Sequence, residues 1–192
     1  YVVNTSATWD NVGAVNAGAI TWGNGSAGTS GVLSAANSLV GTTADDKVGS
    51  AGVVALTNGN YVVISPFWDK GQMINVGAVT WGDGSTGISG PVSDTNSLVG
   101  AAANDQIGRT LTNVAPVVAL TNGNYVVTSP YWNGGSGVLS NGAVTWGNGT
   151  TGITGAISAS NSMLGEASTH HIGSTGIFAL ANGDYLVKSQ RW

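Results

Sequence analysis

The chain has 192 residues, only 7% of them charged, and a net charge of −4. Its five Lys and Arg residues are scattered singly, so no basic patch is available for nucleic acid or for an anionic membrane surface. No run of about 18 apolar residues is present, which excludes a membrane-spanning helix, and the lack of cysteine excludes disulfides and thiolate metal sites.

The sequence repeats with a period of about 60 residues. In each copy the Trp of a Thr-Trp-Gly segment lies 19 residues before the Gly that closes an Asn-Ser-Leu-Val-Gly or Asn-Ser-Met-Leu-Gly segment. We divide the chain into repeats at residues 1–60, 61–124 and 125–184, with residues 185–192 beginning another. A period of this size is typical of propellers and solenoids.

Two strands joined by a tight turn are the clearest elements of the repeat. Residues 52–56 form a short apolar run, Asn58 and Gly59 follow, and a second apolar run occupies residues 61–65. An Asn-Gly pair between two such runs predicts a β-hairpin with a type I′ turn. The pair recurs at residues 122–123 and 182–183.

Two further strands complete the predicted repeat. The third strand covers residues 77–81, with the sequence Gly-Ala-Val-Thr-Trp, and it recurs at residues 18–22 and 142–146. The fourth is predicted from residue 88 to residue 99. No helical periodicity is present, so the fold class is all-β.

The hairpin strands carry apolar side chains on both faces. Val53 and Ala55 point to one side of the sheet, and Val54 and Leu56 point to the other. Such a sheet must be covered on both faces, which neighbouring repeats achieve when they stack face to face. Because the hairpin requires antiparallel pairing inside the repeat, we predict four-stranded antiparallel repeats arranged as β-propeller-like blades, with a β-solenoid as the alternative.

Some segments resemble cofactor-binding or metal-binding motifs, but their sequences fit structural roles better than ligand binding. Residues 23–28 satisfy G-x-G-x-x-G, but the pattern recurs in every repeat and a strand follows it, so we interpret it as a turn. Asp69 is replaced by Asn133 in the next repeat, as expected of a side chain that caps a turn. Asp105 is replaced by His170, which suggests a solvated position. We therefore predict no metal site, no cofactor and no catalytic residues, so the protein is not expected to be an enzyme.

The tryptophans form two series. Trp22, Trp81 and Trp146 lie in the third strand and are predicted to be core residues. The other four follow the second strand, beside a glycine-rich loop, and we favour a role in packing between repeats. The alternative is carbohydrate binding, in which rings stack on sugars and neighbouring polar groups bind hydroxyls. Its candidate residues are Trp9, Trp68, Trp132, Asp69 and Asn133.

Three phrases carry a resemblance to a known group of proteins: Gly-Ala-Val-Thr-Trp-Gly-Asn-Gly, Asn-Ser-Leu-Val-Gly and Ala-Leu-Thr-Asn-Gly-Asn-Tyr-Val-Val. They resemble the tandem β-strand repeats of very large bacterial surface proteins, the filamentous-haemagglutinin-like adhesins. The resemblance covers essentially the whole chain. It implies an extracellular or cell-surface location and a structural or adhesive role, and it brings no catalytic residues with it.

Both ends of the chain fall in the second strand of a repeat, so each end is an incomplete repeat. Unpaired strand edges beside apolar faces pair readily with other chains. We therefore predict rings or filaments of copies of this chain. The predicted assembly strands contain Tyr1, Val2, Val3, Trp9, Tyr185, Leu186, Val187 and Trp192.

The sequence thus predicts a non-enzymatic structural or adhesive segment of an extracellular bacterial fibre or giant surface protein. Its expected partners are copies of itself, with glycans as a candidate ligand, and neither nucleic acid nor insertion into a membrane is expected. A lectin-like carbohydrate-binding β-propeller module is the alternative function.

Overall fold

A computed structural model describes residues 2–111, 113–134, 140–167 and 170–189, with side chains described from residue 7 onward. The ordered elements in these ranges are β-strands, which confirms the all-β prediction. Across the same ranges, no helix is long and apolar enough to cross a membrane.

The strands fall into four units that follow one another along the chain. The first unit contains β1 (Val2–Ser6), β2 (Ala19–Trp22) and β3 (Ser38–Val40). The second contains β4 (Val53–Ala55), β5 (Tyr61–Ser65), β6 (Ala78–Gly82), β7 (Gly90–Pro91) and β8 (Ser97–Val99). The third contains β9 (Val117–Ala119), β10 (Tyr125–Ser129), β11 (Ala143–Gly147), β12 (Gly155–Ala156) and β13 (Ser162–Leu164). The fourth contains β14 (Ile177–Ala179) and β15 (Tyr185–Val187).

Within a unit, the longer strands pair antiparallel in the order in which they occur in the chain, and the two-residue strands β7 and β12 are not part of this order. The order is β4-β5-β6-β8 in the second unit and β9-β10-β11-β13 in the third. A unit therefore begins at the first hairpin strand, and the repeat limits at residues 60, 124 and 184 fall at the end of each hairpin turn. The predicted fourth strand, residues 88–99, is split into β7 and β8 by a turn.

The hairpins form as predicted, but their turn type differs. Gly59 has φ +91° while Asn58 does not share the positive φ that a type I′ turn requires at both positions. The Gly59 N–H donates to the Leu56 carbonyl over 3.1 Å, and the Leu56 N–H donates to the Asn60 carbonyl over 2.8 Å. This pattern is a type I turn followed by a glycine bulge, so only Gly59 adopts the left-handed conformation.

The first and second sheets each receive one short strand from the unit that follows. The two residues of β7 pair in parallel with β3, matching Leu39 to Gly90 and Val40 to Pro91. In the same way β12 pairs with β8, matching Leu98 to Gly155 and Val99 to Ala156. The first three units are thus joined by backbone hydrogen bonds as well as by packing.

The apolar core lies between consecutive sheets. One cluster joins residues of the second unit, such as Val62 and Leu98, to residues of the third unit, such as Tyr125 and Val127. Two further clusters fill the spaces between the first and second units and between the third and fourth. The described strands form four separate sheets, and none of them closes on itself.

Candidate functional site at the junctions between units

A tryptophan and a glycine-rich turn form the centre of each junction. Trp22 Nε1 donates to the Gly84 carbonyl of the next unit over 3.0 Å, and Trp81 Nε1 donates to the Gly149 carbonyl over 3.0 Å. Both rings are half-buried, whereas Trp146 is 42% exposed, so the prediction that this series lies in the core is corrected. These rings lie at the edge of the inter-sheet clusters and fix one unit to the next.

The glycine-rich turns that satisfy G-x-G-x-x-G provide the carbonyl oxygens that accept these tryptophan hydrogen bonds. A Cβ atom added to Gly87 would lie 2.7 Å from the Cβ of Trp22, and one added to Gly152 would lie 2.8 Å from the Cβ of Trp81. Both glycines also have positive φ. Glycine is therefore required here by the close approach of a tryptophan from the preceding unit.

The hairpin asparagines strengthen the junction between the second and third units. Asn58 Nδ2 and Asn60 Nδ2 donate to the Gly149 carbonyl over 2.7 and 2.8 Å. Together with Trp81, three side-chain donors of one unit converge on a single backbone oxygen of the next. The Oδ1 atom of Asn60 is also used, because it accepts the Gly84 N–H inside its own unit over 2.9 Å.

Two buried aspartates form a second link between units. Asp105 Oδ2 accepts the N–H groups of Ala101 and Ala102 over 2.7 and 2.9 Å, and its Oδ1 accepts the N–H of Asn133 in the third unit over 3.0 Å. Asp46 makes the equivalent bonds, including one to the N–H of Asp69 in the second unit over 2.9 Å.

The burial of these two aspartates corrects the sequence interpretation. The replacement of Asp105 by His170 suggested a solvated position, but Asp46 and Asp105 are both fully buried. Burial raises the pKa of both carboxyls, although the backbone N–H donors act in the opposite direction. The signal that could have identified them is the recurrence of Asp at one position of two consecutive repeats.

The carbohydrate candidates do not form an exposed site. Trp68 and Trp132 are each 5% exposed and belong to the inter-sheet clusters, so neither ring offers a face to a sugar. Asp69 accepts the N–H of Asn75 over 2.6 Å, and the N–H of Asn133 donates to Asp105. Trp9, in the first unit, is half-buried.

The predicted assembly strands lie at sheet edges. Val2 and Val3 are in β1, which pairs with β2 and is the outer strand of its sheet. Leu186 and Val187 follow Tyr185 in β15, which pairs with β14 in a two-stranded sheet. Tyr1 and Trp192 lie outside the described residues. No group of three or more His, Cys, Asp or Glu side chains that could hold a metal ion occurs within the part of the chain that the structure describes.

Sheets that repeat along the chain and are joined by recurring contacts define a tandem β-repeat protein. The chain belongs to the family described as "Repeat of unknown function (DUF5650)", whose model matches residues 1–50, 55–109, 119–174 and 179–192. This match confirms the tandem repetition, and the resemblance to filamentous-haemagglutinin-like adhesins stays a prediction. Comparisons with curated proteins and with solved structures found no match.

Proposed function

We propose that the chain is a non-enzymatic structural or adhesive segment of an extracellular bacterial fibre or giant surface protein, and that it associates with copies of itself. The units would stack as propeller-like blades, an arrangement favoured by their antiparallel strand order and face-to-face packing. The location outside the cell is inferred from the resemblance to bacterial surface repeats and from the low content of charged residues, 7%.

One observation carries this proposal: a recurring set of polar contacts connects one unit to the next. The tryptophan, the hairpin asparagines and the buried aspartate of one unit all bind backbone groups of its successor. Backbone groups are present in every repeat, so the same contacts can be made at any number of junctions. A protein built in this way gains length and stability by adding units.

The proposal predicts that neighbouring units stabilise one another, which Trp81→Phe tests. The change removes one N–H donor while keeping an aromatic ring, and we expect it to cost about 1 kcal/mol because the Gly149 carbonyl loses a partner. Hydrogen exchange should become faster in both the second and the third unit. Trp146→Phe is the matched control, because Trp146 occupies the same position on the open face of the third unit.

If Trp81→Phe increased exchange in the second unit alone, the units would be independent and the array proposal would fail. Equal effects of Trp81→Phe and Trp146→Phe on monomer stability would also contradict it, since only Trp81 makes the contact within the chain.

A lectin-like module is the alternative function. It is favoured by one feature, the exposed ring of Trp146 beside Asn122 and Asn124 in an open groove. A glycan array with the 192-residue chain distinguishes the two functions. Binding of a defined glycan that is lost in Trp146→Ala would favour the lectin, and the absence of any bound glycan would favour the structural array.

A further inference from the structure

We propose that a groove beside Arg109 binds a saccharide residue that carries one carboxylate, such as a uronic acid. The inference rests on the proposed function, because it gives the adhesive role a ligand. The groove lies between the two chain connections that flank the second unit. We name it the Arg109 groove, and its lining includes Ser50, Pro66, Phe67, Arg109, Thr110 and Pro116.

An insertion in one chain connection contributes to the wall of the Arg109 groove. The connection over residues 108–125 is five residues longer than the equivalent connection over residues 49–61. Thr110 and Pro116 line the groove from the two ends of this longer segment. Thr110 Oγ1 donates to the Val114 carbonyl over 2.6 Å, which closes the segment into a turn. The repeating packing of the units does not need these extra residues, and an insertion of this kind is where a function of its own is expected.

Arg109 gives the groove a positive charge that the protein does not neutralise. The equivalent position is Ser50 in the preceding connection and Ser174 in the following one, so the charge belongs to this connection alone. Arg109 is exposed and forms no ion pair with any residue that the structure describes. No acidic residue lines the groove. A ligand with one negative charge would therefore be attracted here.

The guanidinium of Arg109 is held in place by two neighbours. Its Nη1 donates to Gln106 Oε1 over 2.6 Å, and its Cζ lies 5.1 Å from the centre of the Tyr131 ring. A guanidinium has five N–H donors, so this one hydrogen bond leaves others for a ligand. A carboxylate accepts two parallel N–H bonds from a guanidinium. Because the side chain is already positioned, it loses less freedom when a carboxylate binds.

The rest of the lining combines apolar rings with hydroxyl groups. Phe67 is half-buried and lies in the groove with Pro66 and Pro116. Ser50 is exposed, and its hydroxyl can donate and accept hydrogen bonds. The Thr110 hydroxyl has donated its hydrogen, so it can accept one from a ligand. A ligand with an apolar ring face and several hydroxyls matches this lining, and a sugar ring has both.

The size and charge of the groove favour a single acidic sugar residue over a phosphate. The groove has a volume of about 320 Å³, at the lower end of the range of about 300–1,000 Å³ for ligand sites. Sites for phosphate gather several N–H donors, commonly at the beginning of a helix. Here one guanidinium supplies the only charge in the lining, which matches one carboxylate.

The prolines of the lining argue against the carboxyl terminus of a peptide as the ligand. Sites that capture a peptide carboxylate do so with clustered backbone N–H groups. Pro66 and Pro116 have no N–H group to offer. Their rings extend the apolar surface of Phe67 instead, which suits the face of a sugar ring.

Titration of the 192-residue chain with methyl β-D-glucuronide, followed by NMR, tests the proposal. Methyl β-D-glucoside is the matched ligand, because it has the same ring without the carboxylate. We expect the glucuronide to shift the backbone amide signals of Ser50, Phe67 and Arg109. The glucoside should bind about tenfold more weakly, since it cannot form a charge-assisted hydrogen bond with Arg109.

Three variants separate the charge, the shape of the guanidinium and the aromatic ring. Arg109→Gln should weaken glucuronide binding about tenfold or more. Lys188→Gln is its matched control, because it removes one positive charge from an exposed residue outside the groove. Arg109→Lys should keep only part of the affinity, since an ammonium cannot form the paired bonds of a guanidinium. Phe67→Leu should weaken binding because it keeps an apolar side chain but removes the flat ring.

Absence of glucuronide binding, equal affinities for the two sugars, or equal affinities of Arg109→Gln and Lys188→Gln would overturn the proposal. So would acetate, or a peptide with a free carboxyl terminus, if it bound as tightly as the glucuronide. Trp146→Ala should leave glucuronide binding unchanged, which distinguishes this groove from the lectin alternative. All of these failures would leave the proposed array standing, because the coupling of units is measured separately with Trp81→Phe.

Discussion

The junction between the second and third units and the opposite face of the third unit are built from the same repeat but differ in burial and in hydrogen bonding. Leu98 is fully buried in the junction, while Met163, at the same position, is 54% exposed on the open face. Trp81 donates to a carbonyl of the next unit, whereas Trp146 is 42% exposed. The difference shows that a repeat has no complete core of its own, since part of its apolar surface is buried only when the next unit packs on it.

The largest loss of stability is expected from a substitution at Leu98. Leu98→Ala should lower the free energy of unfolding by about 2–5 kcal/mol, because it opens a cavity between two sheets. Met163→Ala should change it by about 0.5 kcal/mol or less. Urea unfolding at a concentration that keeps the protein monomeric measures both. Similar losses at the two positions would mean that burial by the next unit is not what distinguishes them.

Substitutions in the glycine-rich turns test steric packing without removing a hydrogen-bonding side chain. Gly149→Ala should destabilise the protein by about 1–3 kcal/mol, because the new methyl group would overlap the Gly123 carbonyl, which cannot move without disturbing a hairpin. Gly25→Ala serves as control, with no expected change in the monomer. Thermal unfolding compares the two. A stable Gly149→Ala variant would show that the hairpin and the glycine turn of the third unit pack more loosely than their geometry indicates.

The buried aspartate tests the polar part of the junction. Asp105→Asn should cost about 1–3 kcal/mol, because an amide NH₂ would face the N–H groups of Ala101 and Ala102 or of Asn133. Asp83→Asn is the matched control, since Asn24 and Asn148 already occupy that turn position in the other units and accept the equivalent N–H groups. Chemical denaturation measures the change in the free energy of unfolding for both variants. Equal changes would mean that Asp105 does not link the two units.

A smaller effect is expected from pH. The pKa values of Asp46 and Asp105 are raised in the folded protein, so the native state binds protons more tightly than the unfolded chain. Their contribution to the free energy of unfolding is therefore fully present below the ordinary Asp pKa and is lost as pH rises through the folded-state pKa. The difference in stability between the wild type and an Asp46→Asn/Asp105→Asn variant should grow as pH is lowered from 7 towards 4. A difference that shrank over this range would reverse the assigned direction of the shifts.

Much of the fold could be predicted because its signals are local. The Asn58-Gly59 turn lies between two apolar runs, which is sufficient to predict the hairpin of β4 and β5. The turn type was predicted wrongly, since the backbone can satisfy the same sequence with a single positive φ at Gly59. The fourth strand was predicted too long because nothing local shows that β7 pairs with the previous unit.

The candidate site was less predictable than the strands. The sequence favours packing roles for Trp68 and Trp132 and leaves carbohydrate binding as the alternative. Only the burial of both rings between sheets distinguishes these two roles. The replacement of Asp105 by His170 in the next repeat predicts a solvated position, whereas the structure buries Asp105 completely. Its partner Asn133 lies in another unit, and contacts over such a distance in the chain leave no trace in the local sequence.

The sequence by itself determined the repeat, the antiparallel hairpins and the need to cover both faces of every sheet. These properties follow from local backbone preferences and from the alternation of side chains along a strand, so they are present in one repeat read alone. Only the tertiary structure decided which turn receives Trp81, which backbone groups Asp105 binds and which strand edge accepts β12. Those contacts join residues of different units, and their geometry is fixed only when one sheet packs on the next.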